Sequence, residues 1–384
     1  MTMKIALPDI SGQKTDYCLT GVPLPEAVLP SHPARIVYSA AHVVADPFTN
    51  NDPSGSPAID WEKTLEFRRY LADLGIGIAE AMDTAQRGMG LDWPRALELV
   101  TQTRKELPDA LVGNGCGTDH LAPQDARSID DVVRAYLEQV EAIQAVGGRL
   151  ILMASRALVK VATNAGDYLR VYSDVLSACD HPVILHWLGE MFDPALAGYW
   201  GSTSFETALE TVLEIIETNK SKVDGIKISL LDKQKEIILR RRLPDGVKMY
   251  TGDDFNYPEL IEGDDQGFSH ALLGIFDPLA PAAAYAVSKL GEGDKAAFRS
   301  TLDPTVPLAR TIFRAPTQYY KTGVVFLAWL NGFQDHFVMV NGAQALRPLP
   351  YFTEIFRQAD QCGLLRDPEK AVHRMTSLLA VYGA

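Results

Sequence analysis

The chain has 384 residues, 47 % of them hydrophobic, and a formal net charge of −13 at pH 7. It can bury a large core, and its acidity argues against a nucleic-acid surface, which would recruit Lys and Arg to one face. The cysteines are far apart, and no apolar run approaches the roughly 18 residues of a membrane span or resembles a signal peptide. We therefore expect a cytoplasmic protein without nucleic-acid or membrane partners.

From about residue 35 onward, short apolar segments alternate with helical patterns. Helical patterns cover residues 60–75, which open on an Asp cap and close on Gly75, and residues 129–148, which end on paired glycines. Eight segments are predicted as strands: 35–43, 76–81, 111–116, 149–155, 182–188, 223–229, 247–252 and 267–272. This alternation predicts parallel strands with crossover helices, most economically a (β/α)8 TIM barrel. An open doubly wound sheet is the competitor, but no GxGxxG follows the first strand.

Beyond about residue 278 every pattern is helical, which exceeds what one closing helix of a barrel requires. Helices are predicted within residues 278–293, 294–302, 319–333, 350–363 and 369–383. The predicted organisation is therefore an amino-terminal extension (1–34), a barrel domain (35–291) and a carboxy-terminal helical extension (292–384).

The strand "VDGIKIS" (223–229) carries a lysine, Lys227, in its middle. Alternation along a strand puts Lys227 on one face with Gly225 and Ser229, and Ile226 and Ile228 on the other. The bulky face suits packing under the outer helices, so Lys227 is predicted to point into the barrel. Desolvation there lowers a lysine pKa and makes a neutral amine accessible for Schiff-base chemistry. The alternative is a structural ion pair with a carboxylate such as Asp253.

Barrel enzymes place their active sites at the carboxyl ends of the strands. The polar residues at those predicted ends are His42, Glu80, Asp83, Thr84, Asn114, Ser155, Arg156, His186, Lys227 and Asp253. A divalent-metal site remains an alternative, built from Glu80, Asp83, Asp119, His120, His186, Glu190 and Asp253. No HxH or HExxH motif supports it, and no metal or other cofactor is predicted.

Four stretches of the chain, taken in order, resemble the dihydrodipicolinate synthase and N-acetylneuraminate lyase family of class I aldolases. They are residues 45–75, "DGIKISLLD" (224–232), "YTGDDFNYPELIEGDDQGFSHAL" (250–272) and residues 321–365. The resemblance implies the (β/α)8 fold, Lys227 as the Schiff-base lysine, a cofactor-free reaction and a homo-oligomer, either a dimer or a tetramer. Gly252 and Asp253 fall on the family's "sGdD" motif.

The substrate-recognition motifs of that family are altered here. Its "GTTGE" turn falls on "DTAQR" (83–87), which retains Thr84 and has Ala85 in place of the second threonine. The family's proton-relaying tyrosine falls on His186, and its "PYY" falls on Ser155 and Arg156. An imidazole titrates near neutrality and can act as a general acid or base, while a guanidinium suits a carboxylate or polyol.

The expected function is a Schiff-base lyase, aldolase or hydro-lyase acting on a small 2-oxo acid or a sugar-derived carbonyl compound. Lys227 would form the imine, His186 would move protons, and Thr84 with the amides around Ala85 would bind substrate oxygens. Arg156 would anchor a distal charge or hydroxyl, and Asp83, Ser155, Gly252 and Asp253 complete the predicted substrate-binding set. Two alternatives are a metal-dependent sugar isomerase or lyase and a non-catalytic, sugar-acid-binding relic.

Overall fold

The computed structural model describes residues 3–384, which divide into two compact units. The barrel unit consists of Arg35–Ala41 and Gly77–Gly274. The helical unit consists of the chain up to Ala34 together with His42–Ile76 and Ile275–Ala384.

The strands are β1 (Lys4–Pro8), β2 (Lys14–Cys18), β3 (Val37–Ala40), β4 (Gly77–Glu80), β5 (Val112–Cys116), β6 (Arg149–Leu152), β7 (Val183–Leu188), β8 (Val223–Ser229), β9 (Lys248–Thr251) and β10 (His270–Leu273). The α-helices are α1 (Trp61–Asp73), α2 (Trp93–Glu106), α3 (Ile129–Ala145), α4 (Arg156–Val161), α5 (Ala165–Ser177), α6 (Phe205–Thr218), α7 (Lys233–Arg240), α8 (Tyr257–Glu262), α9 (Ala280–Gly291), α10 (Lys295–Leu302), α11 (Val306–Ile312), α12 (Tyr320–Leu330), α13 (Leu349–Gln361) and α14 (Pro368–Val381).

In the barrel unit, β3 to β10 form a closed parallel barrel in chain order, because β10 pairs with both β9 and β3. Helices α2 to α8 occur between β4 and β10 along the chain. The eight predicted strands are all present, and the predicted TIM barrel is confirmed. Its interior is filled by an apolar cluster whose buried members come from most of the strands and their ends: Tyr38, Ala40, Ala79, Met82, Ile151, Met153, Ile184, Tyr250 and Leu272.

Local sequence sets the limits of the helices in this unit. Helix α3 begins with a capping box in which Ser128 accepts from the Asp131 amide and Asp131 accepts from the Ser128 amide. It ends just before Gly147, which has a φ of +73°, a backbone conformation that favours glycine. The predicted helix over 129–148 therefore matches the observed one apart from its final residues.

The helical unit contains the hairpin of β1 and β2 together with α1 and α9 to α14. The five predicted carboxy-terminal helices are all found, as α9, α10, α12, α13 and α14. Every residue of α12 is buried, so this helix lies at the core of the unit. Within residues 3–384, no helix is long and apolar enough to cross a membrane.

Two elements of the helical unit were not predicted, the hairpin and α11. The segment after the hairpin is held by the buried Asp360 carboxylate, which accepts from the Tyr17 hydroxyl and from the amides of Thr20 and Gly21. Asp360 lies more than 330 residues further along the chain, so this contact depends on the tertiary fold. The predicted boundary at 34/35 coincides with a change of unit, whereas 291/292 lies inside the helical unit. The predicted domain organisation stays a prediction.

Candidate active site

Lys227 lies on β8 in register with His186 on β7 and Tyr250 on β9. Tyr250 belongs to the apolar cluster inside the barrel, and residues paired in register point to the same face of a sheet. Lys227 therefore points inward, and only 7 % of it is exposed. A Cβ at Gly225 would come within 2.7 Å of the Tyr250 ring, so the absent side chain makes room for that ring.

Burial lowers the pKa of Lys227, while the negative charges of Asp254 and Asp83 act in the opposite direction. The net shift is downward, so the neutral amine is more accessible at neutral pH than on an exposed lysine. This is the protonation state that attack on a carbonyl carbon requires.

The sequence predicts Asp253 as a substrate-binding residue, with an ion pair to Lys227 as the alternative. Its Oδ1 accepts from the Phe255 and Asn256 amides, and its Oδ2 accepts from the Asn256 side chain. Burial raises the pKa of this carboxyl group. Asp253 thus holds the turn after β9, and the carboxylates that act on Lys227 are those of Asp254 and Asp83.

Gly252 borders the stem of Lys227. A Cβ placed on it would lie 2.7 Å from the Cε of Lys227, 2.2 Å from the Ser229 hydroxyl and 2.8 Å from the Ile228 carbonyl. No side chain fits at this position without displacing the lysine. Because Gly252 has no side chain, it leaves the space that the end of the Lys227 side chain occupies.

His186 is fully buried, and its Nε2 lies 3.2 Å from the Ser229 hydroxyl. Burial, reinforced by the charge of Lys227, lowers the pKa of His186 well below its usual value. The imidazole is therefore neutral at neutral pH and able to accept a proton. Its Nδ1 has no hydrogen-bond partner in the described part of the chain.

The turn after β4 is a short 3-10 helix, Asp83–Ala85, in which Thr84 and Ala85 are buried. The Ala85 amide donates to the Met82 carbonyl, and the Gln86 amide donates to the Asp83 carbonyl. The predicted use of the amides around Ala85 for a substrate oxygen would require these hydrogen bonds to break. The amides of Ala85 and Gln86 are therefore engaged within the turn.

Ser155 and Arg156 follow β6. The Ser155 hydroxyl accepts from the Leu158 amide at the start of α4 and lies 2.6 Å from the Thr118 hydroxyl, so Ser155 caps the helix. Arg156 donates from Nε to the Asp193 carboxylate over 2.5 Å. The positive charge of Arg156, which was expected to bind substrate, is thus paired with the Asp193 carboxylate within the protein.

A cavity of about 250 Å³ lies in the barrel unit. Of the predicted site residues, Asp83, Arg156 and His186 line it, whereas Lys227, Thr84, Ala85, Ser155, Gly252 and Asp253 are not among its lining residues. Lys227 is in register with His186 and is acted on by the charge of Asp83, and both of these residues line the cavity. The structure thus groups the predicted imidazole, one carboxylate and one guanidinium around a single space beside the lysine.

Sequence reasoning missed Arg87, which also lines the cavity and is only 4 % exposed. Its Nε and Nη2 donate to the Asp119 carboxylate, Nη1 donates to the carbonyls of Ala81 and Gly115, and Nη2 also donates to Gln139. Burial acts to raise the pKa of Asp119, but the charge and hydrogen bonds of Arg87 hold it below its usual value. The available signal was an arginine in the strand-end stretch "DTAQR".

The residues proposed for a metal site do not converge. Among residues 3–384, no group of three or more His, Cys, Asp or Glu side chains is arranged to hold a metal ion. His186 instead lies beside Ser229, and Asp119 is bound by Arg87.

Solved structures of dihydrodipicolinate synthases have a similar fold. The Acinetobacter baumannii enzyme, solved in complex with pyruvate, has a TM-score of 0.62 at 15 % identity and covers 86 % of this chain and 99 % of its own. The 4-hydroxy-tetrahydrodipicolinate synthase of Methylacidiphilum fumariolicum SolV has a TM-score of 0.61 at 16 % identity and covers 90 % of this chain and 97 % of its own. The Bacillus clausii synthase has a TM-score of 0.58 at 17 % identity and covers 91 % of this chain and 99 % of its own. At these identities the likeness concerns the fold alone.

No curated protein matches the sequence. A family model described as a protein of unknown function, DUF993, matches residues 5–384. The chain therefore belongs to the DUF993 family, and its barrel is similar to that of the dihydrodipicolinate synthases.

Proposed function

We propose that the protein is a lyase or aldolase that forms a Schiff base between Lys227 and the carbonyl carbon of a small substrate. The observation that carries this proposal is a buried lysine with a lowered pKa, beside a neutral histidine, next to a cavity inside a parallel barrel. The similarity of the fold to dihydrodipicolinate synthases supports it as an analogy.

The neutral amine of Lys227 adds to the carbonyl carbon, and loss of water gives an iminium ion. Cleavage of the carbon–carbon bond next to the α-carbon then moves its electron pair toward the iminium nitrogen and leaves an enamine. In the dehydration variant, loss of an α-proton gives the enamine, which then expels the β-hydroxyl. The β-hydroxyl takes up a proton and leaves as water, and hydrolysis of the resulting unsaturated iminium ion releases Lys227. After carbon–carbon cleavage, protonation of the enamine and hydrolysis of the resulting imine regenerate Lys227.

His186 is the residue best suited to move protons in these steps. It lies on the strand next to Lys227, lines the cavity and starts as a neutral base. Accepting the proton of the substrate hydroxyl or α-carbon would make it an acid that can return the proton to the enamine. Thr84 is retained from the family turn and is proposed to orient the substrate.

Borohydride reduction in the presence of a panel of oxo acids and keto sugars tests the proposal. We expect at least one carbonyl compound to give a single covalent adduct per chain in the wild type and none in Lys227→Arg. The matched control is Lys321→Arg, because Lys321 is also buried but donates to the Gln318 carbonyl in the helical unit. Absence of adducts across the panel, or equal adducts in Lys227→Arg, would refute the imine.

A further inference from the structure

The cavity beside Lys227 has an unusual balance of charge for a site that binds an acid. Its lining contains two arginines, Arg87 and Arg156, against three aspartates, Asp83, Asp119 and Asp193. His186 adds no positive charge, because it is neutral. The cavity thus has no net positive charge with which to attract a carboxylate.

Arg87 is closed to a substrate carboxylate, and Arg156 can offer one only its end-on pair of Nη donors. Arg87 uses all of its N–H donors on Asp119, Gln139 and two backbone carbonyls. The Nε of Arg156 donates to Asp193, so the pair of donors formed by Nε and the neighbouring Nη is no longer available to a ligand. The Asp193 carboxylate, whose Oδ2 lies 2.5 Å from this Nε, also offsets the charge of the guanidinium. A carboxylate entering the cavity would meet two guanidinium charges that aspartates already offset.

The remaining polar groups suit hydroxyls. The two Nη groups of Arg156 lie over Gly88 and make no hydrogen bond to any residue of the described chain. They can donate to hydroxyl oxygens, and the Asp83 carboxylate can accept from hydroxyl hydrogens. The Thr118 hydroxyl oxygen, which lies 2.6 Å from the Ser155 hydroxyl, can accept a further hydrogen bond. A hydroxyl group can satisfy donors and acceptors together, whereas a carboxylate only accepts.

Charge near the reacting amine points in the same direction. The carboxylates of Asp83 and Asp254 act on Lys227, and Asp83 also lines the cavity. In a 2-oxo acid the carboxylate is bonded directly to the carbon that Lys227 would attack. It would therefore be brought toward these two negative charges, whereas an uncharged hydroxymethyl or hydroxymethylene group would not.

Resting on the Schiff-base function proposed above, we infer that the substrate is an uncharged polyhydroxylated carbonyl compound, a small ketose or aldose, in preference to a 2-oxo acid. The volume of about 250 Å³ suits a small molecule. In this assignment Arg156 and Asp83 bind hydroxyls, and the Arg156–Asp193 pair excludes acids.

The test uses ligands without a carbonyl group, so that binding is independent of imine formation. Calorimetry or saturation-transfer NMR compares four- to six-carbon alditols with aldonates of equal length, for example ribitol with ribonate, in wild type and Asp193→Asn. Asparagine can still accept from the Ala195 amide, as Asp193 does, so the turn is retained. Asp265→Asn removes the same charge on an exposed turn and serves as the matched control.

We expect the wild type to bind alditols more tightly than aldonates. In Asp193→Asn the freed guanidinium should strengthen aldonate binding by roughly 10-fold, the value of one charge-assisted hydrogen bond, with alditol binding changed less than about 2-fold. Asp265→Asn should behave as wild type. Tighter binding of aldonates than alditols to the wild type, binding of neither class, or an unaltered aldonate affinity in Asp193→Asn would overturn the assignment. Failure of trapping at Lys227 would instead remove the lyase proposal, which these ligands do not probe.

Discussion

The placement of the Lys227 side chain depends on two neighbouring glycines, Gly225 and Gly252, which have no side chain to occupy the space. Gly225 leaves space for the Tyr250 ring on the same face of the barrel, and Gly252 leaves space for the Cε of the lysine. The direction of Lys227 follows from the alternation of the strand, which is why the sequence could predict it. The approach of the Tyr250 ring to Gly225 and of Gly252 to the lysine Cε both depend on β9 and its end. Because β9 lies 19 or more residues further along the chain, neither approach could be predicted from β8 alone.

Gly252→Ala should displace the amine. The added Cβ would meet the Ile228 carbonyl at 2.8 Å and the lysine Cε at 2.7 Å, so the backbone or the lysine must shift. We expect a loss of about 1–3 kcal/mol in the free energy of unfolding, as for overpacked cores, together with slower trapping at Lys227. Denaturant titration and timed borohydride reduction measure the two effects.

The control for this substitution is Gly55→Ala. The nearest atom to a Cβ there is 3.4 Å away, and the residue is exposed, so stability should change by less than about 0.5 kcal/mol. Trapping in Gly252→Ala at the wild-type rate would show that the close approach to Cε has no effect on the chemistry.

His186→Asn separates imine formation from proton transfer. Removal of a general base typically lowers the rate of the step it serves by about 10²–10⁴-fold. We expect deuterium exchange at the carbon next to the carbonyl of a trapped compound to fall by that order, measured by NMR. Adduct formation at Lys227 should persist, and unchanged exchange in the variant would assign proton transfer to another group.

At the scale of elements, α7 is tied to the barrel through a buried carboxyl group. Glu236 lies 2.9 Å from the Thr251 hydroxyl at the end of β9 and 2.6 Å from the Ser269 hydroxyl just before β10. Burial raises the pKa of Glu236 to about 8, although both hydroxyls act to lower it. The folded protein therefore retains a proton on Glu236 at pH values where the unfolded chain has released it.

This shift predicts that stability is lost as the pH rises. Between the unfolded pKa near 4.5 and the folded value of about 8, the folded state binds more protons, so Glu236 contributes a fall of up to about 1.4 kcal/mol per pH unit. Glu236→Gln removes the titrating carboxyl group and keeps a side chain that can donate and accept hydrogen bonds. Urea titrations at pH 5 and pH 8 should show a smaller loss of stability in the variant. An equal loss in both proteins would contradict the account.

At the scale of the whole molecule, local patterns were sufficient for the barrel. Each barrel strand is a short apolar run bounded by a helical pattern or a turn, and eight such units admit few closed arrangements. Helix α11 was missed because it spans only seven residues and contains a proline near its start. The hairpin was missed because β2 presents mostly exposed residues without alternation. The implied assembly into a dimer or tetramer stays a prediction.

The residues proposed to select the substrate were less accessible to sequence reasoning. Arg156 could be identified as a strand-end cation, but its partner Asp193 follows 37 residues later, and Asp119 follows Arg87 by 32. These pairings arise only when the ends of different strands are brought together. The sequence therefore left a carboxylate and a hydroxyl open as ligands of Arg156, because the ion pair with Asp193 is visible only in the folded chain.

The most direct test of the central claim is to locate the reduced adduct among all the lysines. Wild type, Lys227→Arg and Lys321→Arg are reduced with borohydride in the presence of the same carbonyl compound, and their peptides are mapped by tandem mass spectrometry. We expect the adduct on Lys227 in the wild type and in Lys321→Arg, and no adduct in Lys227→Arg. An adduct distributed over exposed lysines, or one that persists in Lys227→Arg, would contradict it.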